Sequence, residues 1–219
     1  MARSVAEPPD VKSLRRDIDI STPLLNGRPR RDYTTFIGEK SQLIRLYQAF
    51  IETPVATMRA ISMGDALCSL EFFRKGRMAR LDARLARWFK EAEIVERTTP
   101  MIDQTREWLR GYFAGESADI SHLELEMRGA PFELRVWKAL RRIPPGTTTT
   151  YGAIAREIGS PDASRAVGMA NGANPIAIIV PCHRVIGSNG TLTGYGGGLE
   201  TKSWLLSHER RWAKEPALF

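Results

Sequence analysis

Cysteine and histidine are scarce in this chain: among 219 residues there are two cysteines, Cys68 and Cys182, and three histidines. Two cysteines 114 positions apart build no disulfide framework, so each is read alone. Cys68, His122, His183 and His208 are scattered without ligand spacing, so no metal and no other cofactor is expected. Long apolar runs are missing as well. The longest aliphatic stretch is Ile176 to Val180, against the about 20 residues that a spanning helix needs. Met1 to Leu14 mixes Arg3, Glu7, Asp10 and Lys12 with a proline pair and forms no apolar core of a signal peptide. The expectation is a cytosolic protein with no membrane partner.

What is present is ordinary globular material, 42% hydrophobic and 26% charged, long enough for one large domain or two small ones. The net charge is +7, and the pI near 9.7 permits a nucleic-acid partner without demanding one. Residues 120 to 219 carry most of the excess, 12 basic against 8 acidic side chains.

Pro8-Pro9, Pro23, Asn26-Gly27 and Pro29 break up the first 38 residues, which read as a flexible extension. From Glu39 to Ile51 the apolar positions fall at helical spacing, and the extension is drawn to residue 52. Val55 to Phe73 reads as two strands turning at Met63-Gly64-Asp65. Leu81, Leu85, Trp88 and Phe89 form a helical stripe, and a further helix is capped by Thr99, opened by Pro100 and stopped by Gly115. The basic run from Arg74 to Arg87 reads as a solvated face, and Cys68 as core. A small α/β module over 53 to 120 results.

The second half, 121 to 210 with a tail over 211 to 219, begins with a helix at Pro131 that ends before Pro144-Pro145-Gly146. A β-favouring Thr147–Thr150 leads into a short helix from Tyr151 to Ile158. After the connector from Ser160 to Ser164 another helix starts at Arg165, capped by Ser164 and closed by Pro175. Two short helices across a tight turn are a helix-turn-helix candidate. Ile176 to Val180 then reads as a buried strand leading into Pro181-Cys182-His183-Arg184. In an extended segment neighbouring side chains point to opposite faces, so contact between His183 and the Cys182 sulfur needs a bend or a bridging water. A thiol becomes a nucleophile only with such a base or a positive environment, and the plain alternative is an inert buried cysteine.

Several blocks decide between these alternatives. Pro181-Cys182-His183-Arg184-Val185-Ile186, Gly194-Tyr195-Gly196-Gly197-Gly198-Leu199 and Arg165-Ala166-Val167-Gly168 stand in order with Phe132-Glu133-Leu134-Arg135-Val136-Trp137, Ile143-Pro144-Pro145-Gly146-Thr147 and Tyr151-Gly152. Together they resemble the methylated-DNA–protein-cysteine methyltransferases, the O6-alkylguanine-DNA alkyltransferases, over roughly residues 54 to 210 and most strongly after 128. The resemblance implies a mixed α/β (α+β) fold: a small N-terminal α/β module with an RNase H-like sheet, and a C-terminal winged-helix-like helix-turn-helix domain. It implies direct damage reversal: a monomer binds double-stranded DNA through the minor groove, flips O6-alkylguanine or O4-alkylthymine out of the stack, and takes the alkyl group irreversibly onto Cys182. Such a protein works at the nucleoid in a bacterium or in the nucleus of a eukaryote.

By the same resemblance His183 is the base, through a water, and Glu209 holds the imidazole. Asn174 supports the site, and Tyr151 protonates the departing base at N3. Arg165 is the finger that enters the stack, and Ala166, Gly168, Asn171 and Gly172 give its helix the slim face that a minor groove admits. Val185, Tyr195, Gly196 and Gly197 wall the base pocket. Some relatives carry serine or a larger residue where Gly196 stands, so a side-chain hydrogen bond to the base oxygen is not expected from that position. Two other readings remain: a sensor that binds alkylated bases without transfer, which the cysteine at 182 opposes, and a thiol hydrolase that turns over without DNA.

Overall fold

The structure is a computed structural model, and it describes residues 44–74, 76–116 and 119–212. The reading of the first 38 residues as an extension falls outside them. They fall within one compact unit, and none of its described helices is long and apolar enough to cross a membrane.

A four-stranded sheet forms the first half, with strands β1 (Arg45–Ile51), β2 (Met58–Met63), β3 (Ala66–Phe72) and β4 (Glu93–Glu96) in the order β3-β2-β1-β4. β1 pairs antiparallel with β2 and parallel with β4, and β2 pairs antiparallel with β3. Helix α1 (Arg77–Trp88) covers one face, where Leu81, Leu85 and Phe89 pack on Leu46, Ile61 and Cys68. Helix α2 (Pro100–Ala114) belongs to the larger core on the other side, with Ile102, Leu109 and Tyr112 among Ile51, Met58 and Ala60. Its ends follow the sequence: Thr99 accepts from the Ile102 N–H, Pro100 opens the first turn, and Gly115 closes it at φ 79°.

The helix expected over Glu39–Ile51 is instead strand β1 where it is described, so the sheet begins at Arg45 and not after residue 52. The reason is that β1 is covered on both faces. Leu46 enters the cluster under α1, whereas Tyr47, Ala49 and Ile51 join the larger core. Apolar residues on both sides erase the alternation that marks a half-buried strand and leave a pattern that matches a helix equally well.

The second half contains α3 (Pro131–Leu140), β5 (Thr149–Thr150), α4 (Tyr151–Glu157), α5 (Ser164–Gly172), a 3-10 turn (Cys182–Arg184), β6 (Val185–Ile186) and α6 (Leu199–Trp212). β5 and β6 pair in parallel. Ser164 is the first residue of α5 and makes no capping bond; Ala163 stands at the cap position. α6 continues through Trp212, two residues into the expected tail.

The outer edge of β3 joins the halves. Leu67 donates to the Glu124 carbonyl (2.8 Å) and accepts from Glu126 (2.9 Å), while Leu70 donates to Pro175 (2.9 Å) and accepts from Ala177 (2.7 Å). An edge that would otherwise offer unpaired backbone groups thus anchors the stretch that leads to Cys182. That stretch is no strand. Ile176 makes one isolated bridge to Leu70, after which the chain turns back, with Ile178 at φ 69°. Ile176 to Val180 is fully buried, so hydrophobicity was right about location and silent about shape.

Candidate active site

Asn174 holds this turn together. Its Oδ1 accepts from the Ile176 N–H (3.0 Å), and its Nδ2 lies within reach of the Val180 carbonyl (2.8 Å), the Ile176 carbonyl (3.3 Å) and Cys182 Sγ (3.1 Å). A single buried amide therefore satisfies backbone groups that a sheet ladder would have paired and also donates to the sulfur. Left-handed backbone at a β-branched residue such as Ile178 is costly, and these bonds help hold it.

The 3-10 turn that follows supplies the bend an extended segment lacks. Cys182 is 5% exposed and its thiol is pushed up to about 11, chiefly by burial, with the Asn174 bond opposing. That leaves very little thiolate at neutral pH, so the sulfur needs a base at the moment of reaction. His183 is fully buried. Its Nε2 lies 2.8 Å from Glu209 Oε1, which assigns the proton to Nε2 and leaves Nδ1 with its lone pair. Burial lowers the imidazole pKa, outweighing the hydrogen bond to Glu209 that raises it, and so keeps the ring neutral and basic.

Glu209 is the hub. Oε1 accepts from His183, from Tyr112 OH (2.6 Å) and from Arg184 Nη2 (2.8 Å); Oε2 accepts from Arg184 Nε (2.9 Å) and the Gly146 N–H (3.2 Å). Burial alone would raise its pKa, but His183 and Arg184 together hold it well below the usual carboxylate range. A thiol, a neutral imidazole and a fixed carboxylate in sequence form a nucleophile, base and orienting group.

Three buried polar atoms around Cys182 have no hydrogen-bond partner among the described residues: His183 Nδ1, Tyr195 OH and Asn171 Oδ1. The Tyr195 ring meets His183 edge-on at 6.2 Å and Phe72 at 5.8 Å. Lys202, also buried, donates from Nζ to the carbonyls of Val185 (2.7 Å) and Thr193 (2.8 Å), tying β6 to the loop that carries Tyr195. Tyr151 begins α4; its hydroxyl accepts from Thr193 Oγ1 (3.1 Å), and its ring lies 3.8 Å from where a side chain on Gly168 would begin.

The expected residues divide into two groups. Cys182, His183, Asn174, Glu209, Val185 and Tyr195 are gathered at the buried centre, and Gly196 and Gly197 continue the adjoining loop. Arg165, Ala166 and Gly172 are exposed on α5. Asn171, expected with the latter, is instead 3% exposed and turned inward, with Nδ2 3.3 Å from the Cys182 carbonyl. Helical spacing explains the correction, because Asn171 lies four residues from the buried Val167 and shares its face. Sequence reasoning missed Tyr112 and Arg184 on Glu209, and Lys202 beneath the loop. Arg184 stands within the Pro-Cys-His-Arg block and could have been found there, whereas Tyr112 is 97 residues from its partner and carries no local signal.

Residues 131–211 match the family model described as 6-O-methylguanine DNA methyltransferase, DNA binding domain. A methylated-DNA–protein-cysteine methyltransferase of Mycolicibacterium paratuberculosis is 61% identical over 105 residues, which is 48% of this chain and only 63% of that relative's length. The protein of the same name from Methanosarcina acetivorans is 40% identical over 164 residues, 75% of this chain and 98% of its own. Among solved structures, the Mycobacterium tuberculosis OGT in complex with DNA superposes with a TM-score of 0.63 at 40% identity, covering 80% of this chain and 96% of that one.

Proposed function

The chain belongs to the methylated-DNA–protein-cysteine methyltransferase family, and from that premise we propose that it repairs duplex DNA by moving the alkyl group of O6-alkylguanine, or of O4-alkylthymine, onto Cys182 in a single irreversible turnover. The observation that carries this reading is the buried relay itself: a thiol on the residue next to an imidazole whose Nε2 is fixed on Glu209 and whose Nδ1 has no partner among the described residues.

His183 Nδ1 takes the thiol proton through a water, and the Nε2 bond to Glu209 stabilises the imidazolium that forms. Sulfur then attacks the alkyl carbon, a C–S bond forms and the C–O6 bond breaks with its electron pair leaving on the base. Guanine leaves readily only when its ring gains a proton. Tyr151 gives one at N3, with Thr193 holding the phenol oxygen in place. One proton leaves the thiol and one enters the base, and the thioether has no leaving group by which to regenerate the cysteine.

The target must leave the stack, since Cys182 is buried. α5 enters the minor groove with the exposed Arg165 filling the gap and with Ala166, Gly168 and Gly172 keeping the helix slim. Val185, Tyr195, Gly196, Gly197 and the inward Asn171 receive the base. The protein acts as a cytoplasmic monomer, an α/β module over 45–116 carrying the DNA-binding half. Titrating the protein against duplex DNA labelled in the methyl of O6-methylguanine tests this. One label per protein molecule is expected, and repeated turnover or none overturns the proposal.

A further inference from the structure

The loop after Tyr195 contains three glycines in a row, and each is crowded from the same direction. A Cβ on Gly196 would collide with Arg77 Cζ and lie 2.5 Å from both terminal nitrogens; one on Gly197 would lie 2.8 Å from the Phe72 ring; one on Gly198 would lie 2.7 Å from Arg74 Nη1. The three neighbours come from the end of β3, the start of α1 and the link between them, and the two arginines belong to the basic run whose pattern reads as a solvated face. Arg77 is half-buried instead. Its Nε and Nη2 each lie 2.6 Å from an oxygen of Glu71, a residue only 3% exposed, so the guanidinium is clamped in a bidentate pair. A free arginine would swing away from an added methyl at little cost. This one would strand a buried carboxylate by doing so.

We propose that Arg77, clamped by Glu71, is a specificity-determining residue of the alkyl-acceptor site: its guanidinium fills the volume that a side chain on residue 196 would occupy and so limits the size of the alkyl group admitted. The inference rests on the transfer activity proposed above. Arg77 stands against Gly196, the residue after Tyr195, whose ring meets His183 edge-on at 6.2 Å, and this places it at the wall of that site. The sheet module thereby contributes to the pocket directly.

Two readouts test the assignment: the rate of alkyl transfer from duplex DNA carrying O6-methylguanine, and the rate from the same duplex carrying O6-benzylguanine. Arg77→Ala should raise the benzyl-to-methyl rate ratio by about tenfold or more, the scale on which pocket volume discriminates substrates. Glu71→Gln/Arg77→Ala leaves no unpaired buried carboxylate and should show the same shift if the single variant does not fold. Gly196→Ala should slow methyl transfer about tenfold in the native background and less than about threefold when Arg77 is also alanine, because the clash is then gone. An unchanged ratio in both Arg77 variants, or an equal penalty for Gly196→Ala in both backgrounds, overturns the inference. The native protein separates this from the underlying reading: if it transfers neither group, the activity itself is wrong, whereas native transfer with an unmoved ratio defeats only the role of Arg77.

Discussion

Glu209, on α6, takes donors from three other stretches of the chain: Tyr112 on α2, Gly146 in the turn after α3, and His183 and Arg184 on the 3-10 turn. Tyr112→Phe removes one donor and leaves the others. Unfolding experiments should show a loss of about 1–3 kcal/mol, the cost of depriving a buried charged acceptor of one bond. Transfer should slow only severalfold, because the Nε2 contact survives. Acidification should act on the same group with a definite sign. Its carboxyl is held below the reference value of 4.5, so folding stability is full above that pH and is lost as pH falls through the lower folded value. The imidazole of His183, lowered from 6.5 by burial, likewise stabilises the fold less as pH drops below 6.5. Transfer should fall on that acid side, as imidazolium cannot accept the thiol proton. A pH–rate profile that rises toward acid would remove His183 as the base. At this scale the sequence showed the adjacent Cys182 and His183, carried Arg184 in the same block without revealing its role, and hid partners such as Tyr112 and Arg77 that only the folded chain brings near.

Elements were legible where their ends were chemically marked. Thr99-Pro100 and Gly115 bound α2, and Gly64-Asp65 turn β2 into β3, as their backbone preferences require. β1 and the turn at Ile176–Val180 were not legible, for one reason: apolar residues on every side carry no period, so burial is readable and conformation is not. In the turn the missing information sits in Asn174. Asn174→Ala should lower stability by about 2–4 kcal/mol, since several buried backbone groups lose their partner at once, and should reduce the reactivity of Cys182 toward thiol reagents. A variant as stable as the native protein would mean that the turn holds its shape without the amide. On α5, Arg165 and Met169 (78% exposed) project from one face. Arg165→Ala should slow transfer from duplex DNA about tenfold or more and leave transfer from the free O6-methylguanine base nearly unchanged, because the finger compensates only for unstacking. Equal losses on both substrates would place Arg165 in the chemistry instead.

For the molecule as a whole, the outer edge of β3 is the organising feature. It holds residues 124–126 and 175–177 by backbone bonds, its end brings Phe72 against the glycine loop and Glu71 against Arg77, and α2 sends Tyr112 to Glu209. The sheet is therefore part of the site's construction. The modest charge of +7 fits a protein that scans duplex weakly and relies on one extruded base for selectivity. Mass spectrometry of the peptide containing Cys182, after incubation with a duplex carrying O6-methylguanine, bears on the central claim most directly. The expected result is one added methyl on Cys182, at most one per protein molecule, with guanine restored in the DNA; an unmodified Cys182 alongside repaired DNA, or a methyl on any other residue, would contradict it.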